Sequence, residues 1–519
     1  MTIVLFNRQP VFYSDTLSIF MKSTIFFQTN STLYMYDNRL QNYTIAHPLM
    51  LHFYTLDQQG RLPSDFSLVC ENDLPKDYND QDRMYYFEKY LHFKKTGYFM
   101  EEEKTIRRQY TVQNIERAFY NADNVVFEAT DACNLKCKYC GYGDMYCDYD
   151  ERKNRYMKFD TVRCVLDNLC KFWESGINSS SNKSVLIGFY GGEPLLNFQL
   201  IKDTIEYLNL ISLPNIEFQY NMTTNATMLY KHIDFLVKNN FRILVSLDGT
   251  EYNHSYRVFH NGKNSHSKVL SDIKKIMNQY PQFYKEKINF NAVLHDRNSV
   301  EAINDFIQTE LGKIPKINQL NNSGIKDGKK EEFAQLFNSY FKSVSSSRKQ
   351  DDLINDRFID DANVHALSSF LRLYNSNQFD SYINFFNKLI SYSLIQTGTC
   401  VPFEKKIYVT VNNKILACER ISQKYILGKI ENMRVVVDFE QIVKIYDTFL
   451  ENIYRLCKNC YRSGKCNQCI FQFEEINEET VCWGFQNEAQ FSDMIGRNVS
   501  FLEKYPTLFN KLIREVFIQ

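Results

Sequence analysis

Three cysteines stand close together in one loop of the chain and could bind a common group. Cys133, Cys137 and Cys140 have the spacing C-x3-C-x2-C. Three thiolates are one short of the usual four on an iron–sulfur cluster, so a cluster held this way keeps one iron open for an outside ligand. A tetrahedral zinc site could also use three cysteines and a fourth group. The spacing alone leaves both kinds of site open.

A second group of cysteines lies nearer the C-terminus. It comprises Cys400, Cys418, Cys457, Cys460, Cys466, Cys469 and Cys482, and the last five have the spacing C-x2-C-x5-C-x2-C-x12-C. Clustered C-x2-C pairs in a large chain without a secretion signal favour metal binding over disulfides. Taken alone, this spacing could also form a zinc ribbon.

The composition gives no indication of a charged or lipid partner. The 519 residues include 61 basic and 61 acidic side chains, so neither a nucleic acid nor a membrane surface is expected to bind. No run of 18 or more residues is apolar enough to span a membrane. The first residues make a poor signal peptide because an Arg and a Pro interrupt their apolar part. We therefore expect a cytoplasmic protein.

Strand-like and helical patterns alternate between about residues 120 and 312. The strand-like runs are 124–129, 185–190, 216–222, 242–247 and 288–294, and helical patterns lie between them at 160–175, 197–210, 227–240 and 266–280. This alternation predicts a parallel sheet built from βα units. In barrels of this kind the chemistry gathers at the C-terminal ends of the strands.

Polar and glycine-rich motifs follow these strands in order. They are Gly191-Gly192-Glu193-Pro194, Thr223-Thr224-Asn225-Ala226-Thr227 and Val245-Ser246-Leu247-Asp248-Gly249, with Arg257 further along the chain. Paired glycines let a ligand approach the backbone closely. A carboxylate can accept bonds from an ammonium group, and a guanidinium presents a fork of donors to a carboxylate. Singly, the glycines could be an ordinary turn and Arg257 a surface side chain.

Taken together, the first strand, the cysteine loop and the later motifs resemble the radical S-adenosylmethionine (SAM) enzymes. The resemblance implies an α/β fold with a partial (β/α)6 barrel, in which Cys133, Cys137 and Cys140 hold a [4Fe–4S] cluster. It also implies SAM contacts by Tyr139, Gly191, Gly192, Glu193, Pro194, Thr224, Asn225, Ser246, Asp248, Arg257 and Leu294. In this family one electron cleaves SAM to methionine and a 5′-deoxyadenosyl radical, which takes a hydrogen atom from the substrate.

Within that set, the resemblance assigns individual roles. Glu193 and its glycines would contact the amino group of SAM, and Arg257 its carboxylate. Tyr139 and Leu294 would lie near the adenine. Ala226 stands where the family usually has a glycine.

The second cysteine group resembles the SPASM domain, which carries auxiliary iron–sulfur clusters. The resemblance implies one complete cluster on Cys457, Cys460, Cys466 and Cys482, and another on Cys400, Cys418 and Cys469, both expected as [4Fe–4S]. Two features depart from the family pattern. Two residues separate Cys466 from Cys469, where three are usual, and Asn413 stands in place of a usual glycine.

Glu419 directly follows Cys418. In similar sulfatase-maturing enzymes, an acidic residue at this position serves as a base. Glu419 could play that catalytic role, or it could be a surface residue paired with Arg420.

These assignments divide the chain into predicted domains. They are an N-terminal module at 1–119, a radical SAM core at 120–312, a linker or helical bridge at 313–395, a SPASM domain at 396–490 and a C-terminal helix at 491–519. The N-terminal module contains no chemical motif, so it could cap the barrel or bind the leader of a peptide substrate.

The amino-acid sequence of the cysteine loop is most similar to that of maturases of ribosomally made peptides with a double-glycine leader. This resemblance implies side-chain crosslinking of a precursor peptide, with electrons from a donor such as flavodoxin or ferredoxin. Formation of formylglycine on a sulfatase is an alternative within enzymes. A zinc-ribbon binding protein without catalysis is an alternative of another class.

Overall fold

The computed structural model describes residues 21–102, 104–106, 110–174, 183–211, 213, 215–350, 352–353, 362–374, 394–395, 397–476, 479–482 and 484–517. The chain divides into two compact units. The first unit combines Met1–Arg108, Asn363–Thr399 and Asp447–Gln519, and the second combines Gln109–Ala362 and Cys400–Tyr446. Each unit is therefore assembled from segments that are far apart in the sequence.

The strands are numbered in chain order. They are β1 (Met21–Lys22), β2 (Thr24–Gln28), β3 (Leu33–Asp37), β4 (Asn42–Ile45), β5 (Glu101–Glu102), β6 (Thr105–Ile106), β7 (Asn124–Thr130), β8 (Leu135–Cys137), β9 (Lys183–Gly191), β10 (Ile216–Thr224), β11 (Arg242–Ser246), β12 (Arg257–Phe259), β13 (Ile288–Leu294), β14 (Lys316–Gln319), β15 (Leu394–Ile395), β16 (Ile407–Val409), β17 (Lys414–Leu416), β18 (Gly428–Glu431), β19 (Arg434–Val437), β20 (Glu474–Ile476) and β21 (Glu479–Val481).

The α-helices are numbered in the same way. They are α1 (Pro48–Gln58), α2 (Asp80–Lys95), α3 (Val112–Tyr120), α4 (Phe159–Glu174), α5 (Phe198–Leu210), α6 (Ile233–Lys238), α7 (His266–Gln279), α8 (Pro281–Lys287), α9 (Val300–Leu311), α10 (Lys330–Leu336), α11 (Tyr340–Ser345), α12 (Ala362–Tyr374), α13 (Phe439–Cys457), α14 (Glu488–Lys504) and α15 (Pro506–Leu512). In the described residues, none of the helices combines the length and the apolar character needed to span a membrane.

A ten-stranded sheet forms the centre of the second unit. Its order is β14-β13-β11-β10-β9-β7-β16-β17-β18-β19. The strands from β14 to β16 are parallel, and β17 to β19 continue the sheet in antiparallel pairs. The five strands predicted between 124 and 294 are all present and parallel, which confirms the predicted α/β class.

The two faces of this sheet differ in polarity because side chains alternate along a strand. In β13, Ile288, Phe290 and Ala292 are fully buried, whereas Asn289 and Asn291 between them are not. The register places Leu244 beside Asn289 and Ser246 beside Asn291. One face of the sheet is therefore packed with apolar side chains, and the other is polar and open enough to hold a ligand.

The sheet continues past the predicted core through β14, which sequence patterns did not predict. Helix α9 begins after Ser299, whose side chain accepts a bond from the Ala302 N–H, and it ends at Gly312 in the left-handed conformation (φ 61°). A glycine adopts this conformation without steric cost, so it stops the helix and turns the chain. The strand that follows, β14, then pairs with β13.

The N-terminal part of the first unit is a small α+β module. Strands β2, β3 and β4 form an antiparallel sheet, and helices α1 and α2 share an aromatic core that includes Phe53, Phe87 and Tyr90. In the described part of the chain, β4 pairs with β3 alone, so one edge of β4 carries no neighbouring strand.

Candidate functional site

The three-cysteine loop follows β7 and is fixed by a second small sheet. Strand β8 pairs with β12 in antiparallel register, which sets Cys137 opposite Arg257. The Leu135 N–H donates to Cys133 Sγ at 3.4 Å, and the Arg152 guanidinium donates to Cys140 Sγ at 3.3 Å. The pairing of β8 with β12 therefore brings the predicted carboxylate-binding arginine next to the cysteine loop.

The thiols of this loop lie close to one another in a partly buried environment. Burial raises the pKa of Cys133 to about 11, and the neighbouring Cys140 raises it further. Burial likewise raises the pKa of Cys137 to about 12, although the Arg257 charge opposes this shift. Burial opposes ionisation of Cys133 and Cys137, and a bound cationic group would offset that cost.

The paired glycines Gly191 and Gly192 pack closely against the backbone that leads into the cysteine loop. A Cβ on Gly191 would lie 2.2 Å from the Thr130 carbonyl oxygen, and a Cβ on Gly192 would lie 2.1 Å from the Ala132 carbonyl oxygen. The N–H of Gly192 donates to Thr130 O at 2.8 Å. The close approach that these glycines permit is therefore made by the backbone leading into the cysteine loop. Pro194 is buried and begins a short 3-10 turn, Pro194–Asn197.

Glu193 is a fully buried carboxylate at the end of β9. Its oxygens accept bonds from Thr224 Oγ1 at 2.7 Å, Asn225 N at 2.7 Å and Leu195 N at 3.1 Å. Burial raises the pKa of Glu193 to about 7 in spite of these three donors. Among the described residues no basic side chain forms an ion pair with it, so the site suits an added cation such as an ammonium group.

Asp248 holds Arg257 and Tyr139 in place. Arg257 Nε donates to Asp248 Oδ2 at 2.9 Å and Nη2 donates to Oδ1 at 3.2 Å, while the Tyr139 hydroxyl donates to Oδ2. The Val293 N–H adds a bond to Oδ1 at 2.9 Å. Asp248 was predicted to contact SAM, but both of its oxygens are engaged by the protein. It therefore positions other residues.

The charges of this pair reinforce each other. Burial alone would raise the pKa of Asp248, but the Arg257 guanidinium, His254 and the hydrogen bonds from Arg257 and Tyr139 together hold this pKa below its ordinary value. Burial opposes the charge on Arg257, yet Asp248 raises the arginine pKa well above its ordinary range. Arg257 also lies over the Tyr139 ring, with its guanidinium carbon 5.3 Å from the ring centre.

The structure brings most of the predicted SAM contacts to one edge of the sheet. Thr224 ends β10 and Asn225 follows it, and the Asn225 amide nitrogen lies 3.7 Å from Cys133 Sγ. Ser246 ends β11 beside them. Leu294 is the exception: it is completely buried, and strand alternation turns it to the face opposite Val293. Val293, not Leu294, packs against the hydrophobic cluster that contains Tyr139.

Glu419 lies on the polar face of the sheet. It forms an ion pair with Lys406 at 2.8 Å, and both side chains are about one-fifth exposed. From the sequence, Arg420 was considered as the ion-pair partner of Glu419, whereas in the structure the partner is Lys406. Glu419 and Lys406 line a cavity of about 230 Å³ together with residues of β7, β9, β10 and β11, including Tyr190 and Thr223. A carboxylate facing a cavity can accept a proton from a molecule bound there.

A comparison with protein families identifies the segment that carries this arrangement. Residues 127–308 match the model of the Radical SAM superfamily. This part of the chain is therefore similar in sequence to radical SAM domains. The match spans the cysteine loop and every motif from Gly191 to Leu294.

Two relatives of known activity share part of the sequence. A cysteine-type anaerobic sulfatase-maturating enzyme of Clostridium novyi is 28% identical over 172 residues, which are 32% of this chain and 44% of that one. The radical SAM cyclopropyl synthase TigE of Paramaledivibacter caminithermalis is 28% identical over 210 residues, 38% of this chain and 42% of that one. The chain thus covers less than half of each relative.

A solved structure has a similar fold. The structure of histidine-tagged anSMEcpe with bound AdoMet superimposes with a TM-score of 0.50, at 18% sequence identity, over 76% of this chain and 96% of that one. This likeness is one of fold.

Four cysteines of the second predicted group come together in the first unit. Burial raises the pKa of Cys457 above its ordinary range, and the nearby Cys460, Cys466 and Cys482 raise it further. Burial also raises the pKa of Cys482 to about 12. The N–H of Gln486 donates to Cys460 Sγ at 3.4 Å and that of Gln468 to Cys466 Sγ at 3.3 Å. N–H···S bonds of this kind stabilise cluster thiolates.

The remaining predicted ligands do not form one set within a unit. Cys400 and Cys418 belong to the second unit, whereas Cys469 belongs to the first. Throughout the described ranges, no three His, Cys, Asp or Glu side chains form a group ready to hold a metal ion. Cys133, Cys140, Cys460 and Cys466 each accept an N–H bond at sulfur, a donor chemistry that suits iron–sulfur clusters.

The structure adds two residues that sequence patterns did not single out. His295 directly follows β13, is completely buried, and stacks on Tyr139 with ring centres 5.5 Å apart. Glu128 is buried within β7, accepts a bond from the Tyr142 hydroxyl at 2.6 Å, and has its pKa raised by burial to about 6. Two sequence features could have identified these residues. Glu128 is a carboxylate within an otherwise apolar run of a strand, and His295 is a histidine at the end of a strand.

Proposed function

We propose that the chain is a radical SAM/SPASM enzyme that modifies a ribosomally made precursor peptide, most simply by crosslinking its side chains. The observation that carries this proposal is the assembly at one sheet edge of the cysteine loop, the buried Glu193 and the Asp248–Arg257 pair. It lies in the segment that matches the radical SAM family. Relatives of the domain include enzymes named for sulfatase maturation and cyclopropyl synthesis.

The residues of the radical SAM domain divide the binding of cofactors between them. Cys133, Cys137 and Cys140 would hold a [4Fe–4S] cluster, and Glu193 and Arg257 would bind the ammonium and carboxylate groups of SAM. When bound, SAM and the reduced cluster supply a 5′-deoxyadenosyl radical. Asp248 fixes the orientation of Arg257, and the buried Tyr139 with the partly buried Val293 limits access of water from that side of the site.

Glu419 is proposed as the base that removes a proton as product forms. Lys406 pairs with Glu419 at 2.8 Å, and the cavity offers room for a substrate side chain. The thiols of Cys457, Cys460, Cys466 and Cys482 would hold an auxiliary cluster that accepts the substrate's electron. A one-electron donor such as flavodoxin or ferredoxin would supply the initial electron.

The N-terminal module is proposed to bind the leader of the peptide. A cavity of about 270 Å³ lies beside β4 and is lined by Ile45, His47, Met50, Tyr86 and Phe93, among others. The Ala46 N–H donates to Leu33 O in β3 at 2.8 Å, so by alternation the Ile45 N–H points away from β3. Ile45 is 70% exposed. An extended peptide could add to this edge as a strand and place an apolar side chain in the cavity.

Two measurements test the proposed activity. The anaerobically reconstituted protein should form 5′-deoxyadenosine from SAM under strong reductant, and the Cys133→Ala/Cys137→Ala/Cys140→Ala variant should not. Coexpression with a short gene encoding a double-glycine peptide should then give a peptide that has lost hydrogen by mass spectrometry. SAM cleavage at the wild-type rate by the triple variant would refute the cofactor assignment.

The leader site has its own test. The substitution Ile45→Pro removes an N–H that faces away from β3, so the module should stay folded. Binding of the precursor should weaken, because that N–H would bond to the added strand. Leu210→Lys is the matched control, because Leu210 is 83% exposed and lies in the second unit. Equal precursor affinity for wild type and Ile45→Pro would show that the leader binds elsewhere.

Formation of formylglycine on a sulfatase is the second candidate, and the similarity to the Clostridium novyi enzyme favours it. A sulfatase peptide that gains an aldehyde would support it. A zinc-ribbon protein without catalysis would contain stoichiometric zinc and no iron.

A further inference from the structure

A cationic patch shares the cavity that contains Glu419. Arg242 begins β11 and Lys287 ends α8, directly before β13. Because Ile243 pairs with Ile288 in parallel register, the preceding residues Arg242 and Lys287 are neighbours across the two strands. Both line the cavity of about 230 Å³, together with the amides of Asn221 and Asn289.

Among the described residues, these two cations have no anionic counterpart. Lys406 and Glu419 neutralise each other at 2.8 Å. Across the same ranges, no carboxylate lies within ion-pair distance of Arg242 or Lys287. Arg242 is exposed and Lys287 is half-buried. The cavity wall therefore carries an excess positive charge on the side of β11 and β13.

The size and lining of the cavity indicate what it can hold. Its volume is below the roughly 300–1,000 Å³ of sites for drug-sized ligands, so it suits one or two side chains of a peptide. A guanidinium and an ammonium beside two amides provide donors in excess of acceptors. The complementary group is a carboxylate, which the guanidinium can bind through two parallel hydrogen bonds.

We propose that Arg242 and Lys287 form a carboxylate subsite that selects the peptide substrate, with the bound acidic group close to the residue facing Glu419. This inference rests on the proposed peptide-modifying function. The carboxylate could come from an Asp or Glu side chain near the modified residue, or from the C-terminus of the peptide. Arg242, Lys287 and Glu419 line one cavity, so an acidic group near the modified residue can reach the cations.

The test measures retention of defined peptides by the full-length reconstituted protein with SAM, by equilibrium dialysis and mass spectrometry. The probes are acetyl-GGEGSGG-amide, acetyl-GGQGSGG-amide and acetyl-GGQGSGG with a free C-terminal carboxylate. The wild type should retain a carboxylate peptide about fivefold more tightly than the neutral one, as expected for a partly exposed ion pair. Preference for the first or the third probe identifies the source of the carboxylate.

Variants separate the subsite from general surface charge. Arg242→Gln and Lys287→Gln should each remove most of the preference, and Arg242→Glu should favour acetyl-GGKGSGG-amide instead. Lys231→Gln is the control, because Lys231 is exposed and does not line the cavity.

Equal retention of all probes by the wild type, or an equal loss in Lys231→Gln, would overturn the subsite. Cleavage of SAM by the wild type is measured separately. Its absence would count against the proposed function and leave the binding result to stand on its own.

Discussion

Replacing Asp248 with Asn removes the charge that holds Arg257 while it keeps the side-chain shape. The two side chains are 0% and 9% exposed, and two hydrogen bonds of 2.9 and 3.2 Å join them. In Asp248→Asn the guanidinium stays buried without its counter-charge. Breaking a buried pair in this way costs about 3–5 kcal/mol. At about 2–4 °C per kcal/mol for a domain of 150–250 residues, the second unit should unfold roughly 6–20 °C lower.

The same change should weaken SAM binding, because Arg257 and Tyr139 lose their common acceptor. We expect SAM affinity to fall about tenfold or more, equivalent to about 1.4 kcal/mol. Equilibrium dialysis with labelled SAM measures it, and iron content should match the wild type. The double variant Asp248→Asn/Arg257→Gln should recover part of the thermal stability without recovering affinity, since it removes the isolated charge and the carboxylate ligand together.

The pH dependence of stability follows from the direction of the shift. The folded pKa of Asp248 lies below its ordinary value of 3.8 because Arg257 stabilises the carboxylate. The pair therefore contributes its full stability above that value and loses it as the pH falls through the folded pKa. The stability difference between wild type and Asp248→Asn should stay constant from pH 8 to about pH 4.

A buried aspartate outside the site provides a matched control. Asp272 on α7 is 1% exposed and pairs with Lys268 at 2.6 Å, but this lysine is half exposed. Asp272→Asn should cost about 1 kcal/mol or less and leave SAM affinity unchanged. If Asp248→Asn behaved like this control in both measurements, the positioning role of Asp248 would be wrong.

Three further changes have defined outcomes. Ala226 has a left-handed backbone (φ 60°), so Ala226→Gly should stabilise the protein by about 1 kcal/mol in thermal unfolding; a destabilised variant would contradict the strain. Glu419→Gln should keep SAM cleavage and lose modified peptide, and normal product formation would exclude it as the base. Cys457→Ala should lower iron content by about one cluster, and unchanged iron by elemental analysis would remove that auxiliary site.

Local sequence patterns were sufficient to predict the five parallel strands and to locate the motifs that follow them. The cysteine spacing and the motifs after each strand depend on residue type and local order, and both can be read directly from the sequence. Asn413 illustrates the same point: it replaces a usual glycine, and its backbone is left-handed (φ 61°), a conformation that Asn tolerates better than most residues.

Tertiary structure decided which of the predicted site residues bond to one another. The sequence placed Asp248 and Arg257 in one set of SAM contacts, but only folding revealed that they satisfy one another. It also showed that Gly191 and Gly192 admit the backbone of the cysteine loop, and that Val293 rather than Leu294 packs against the hydrophobic cluster that contains Tyr139. β14, and the pairing of β16 with β7, likewise depend on contacts between distant segments. Hydrogen-bond partners and strand faces are set by pairing across the sheet, and the order of residues along the chain does not contain that information.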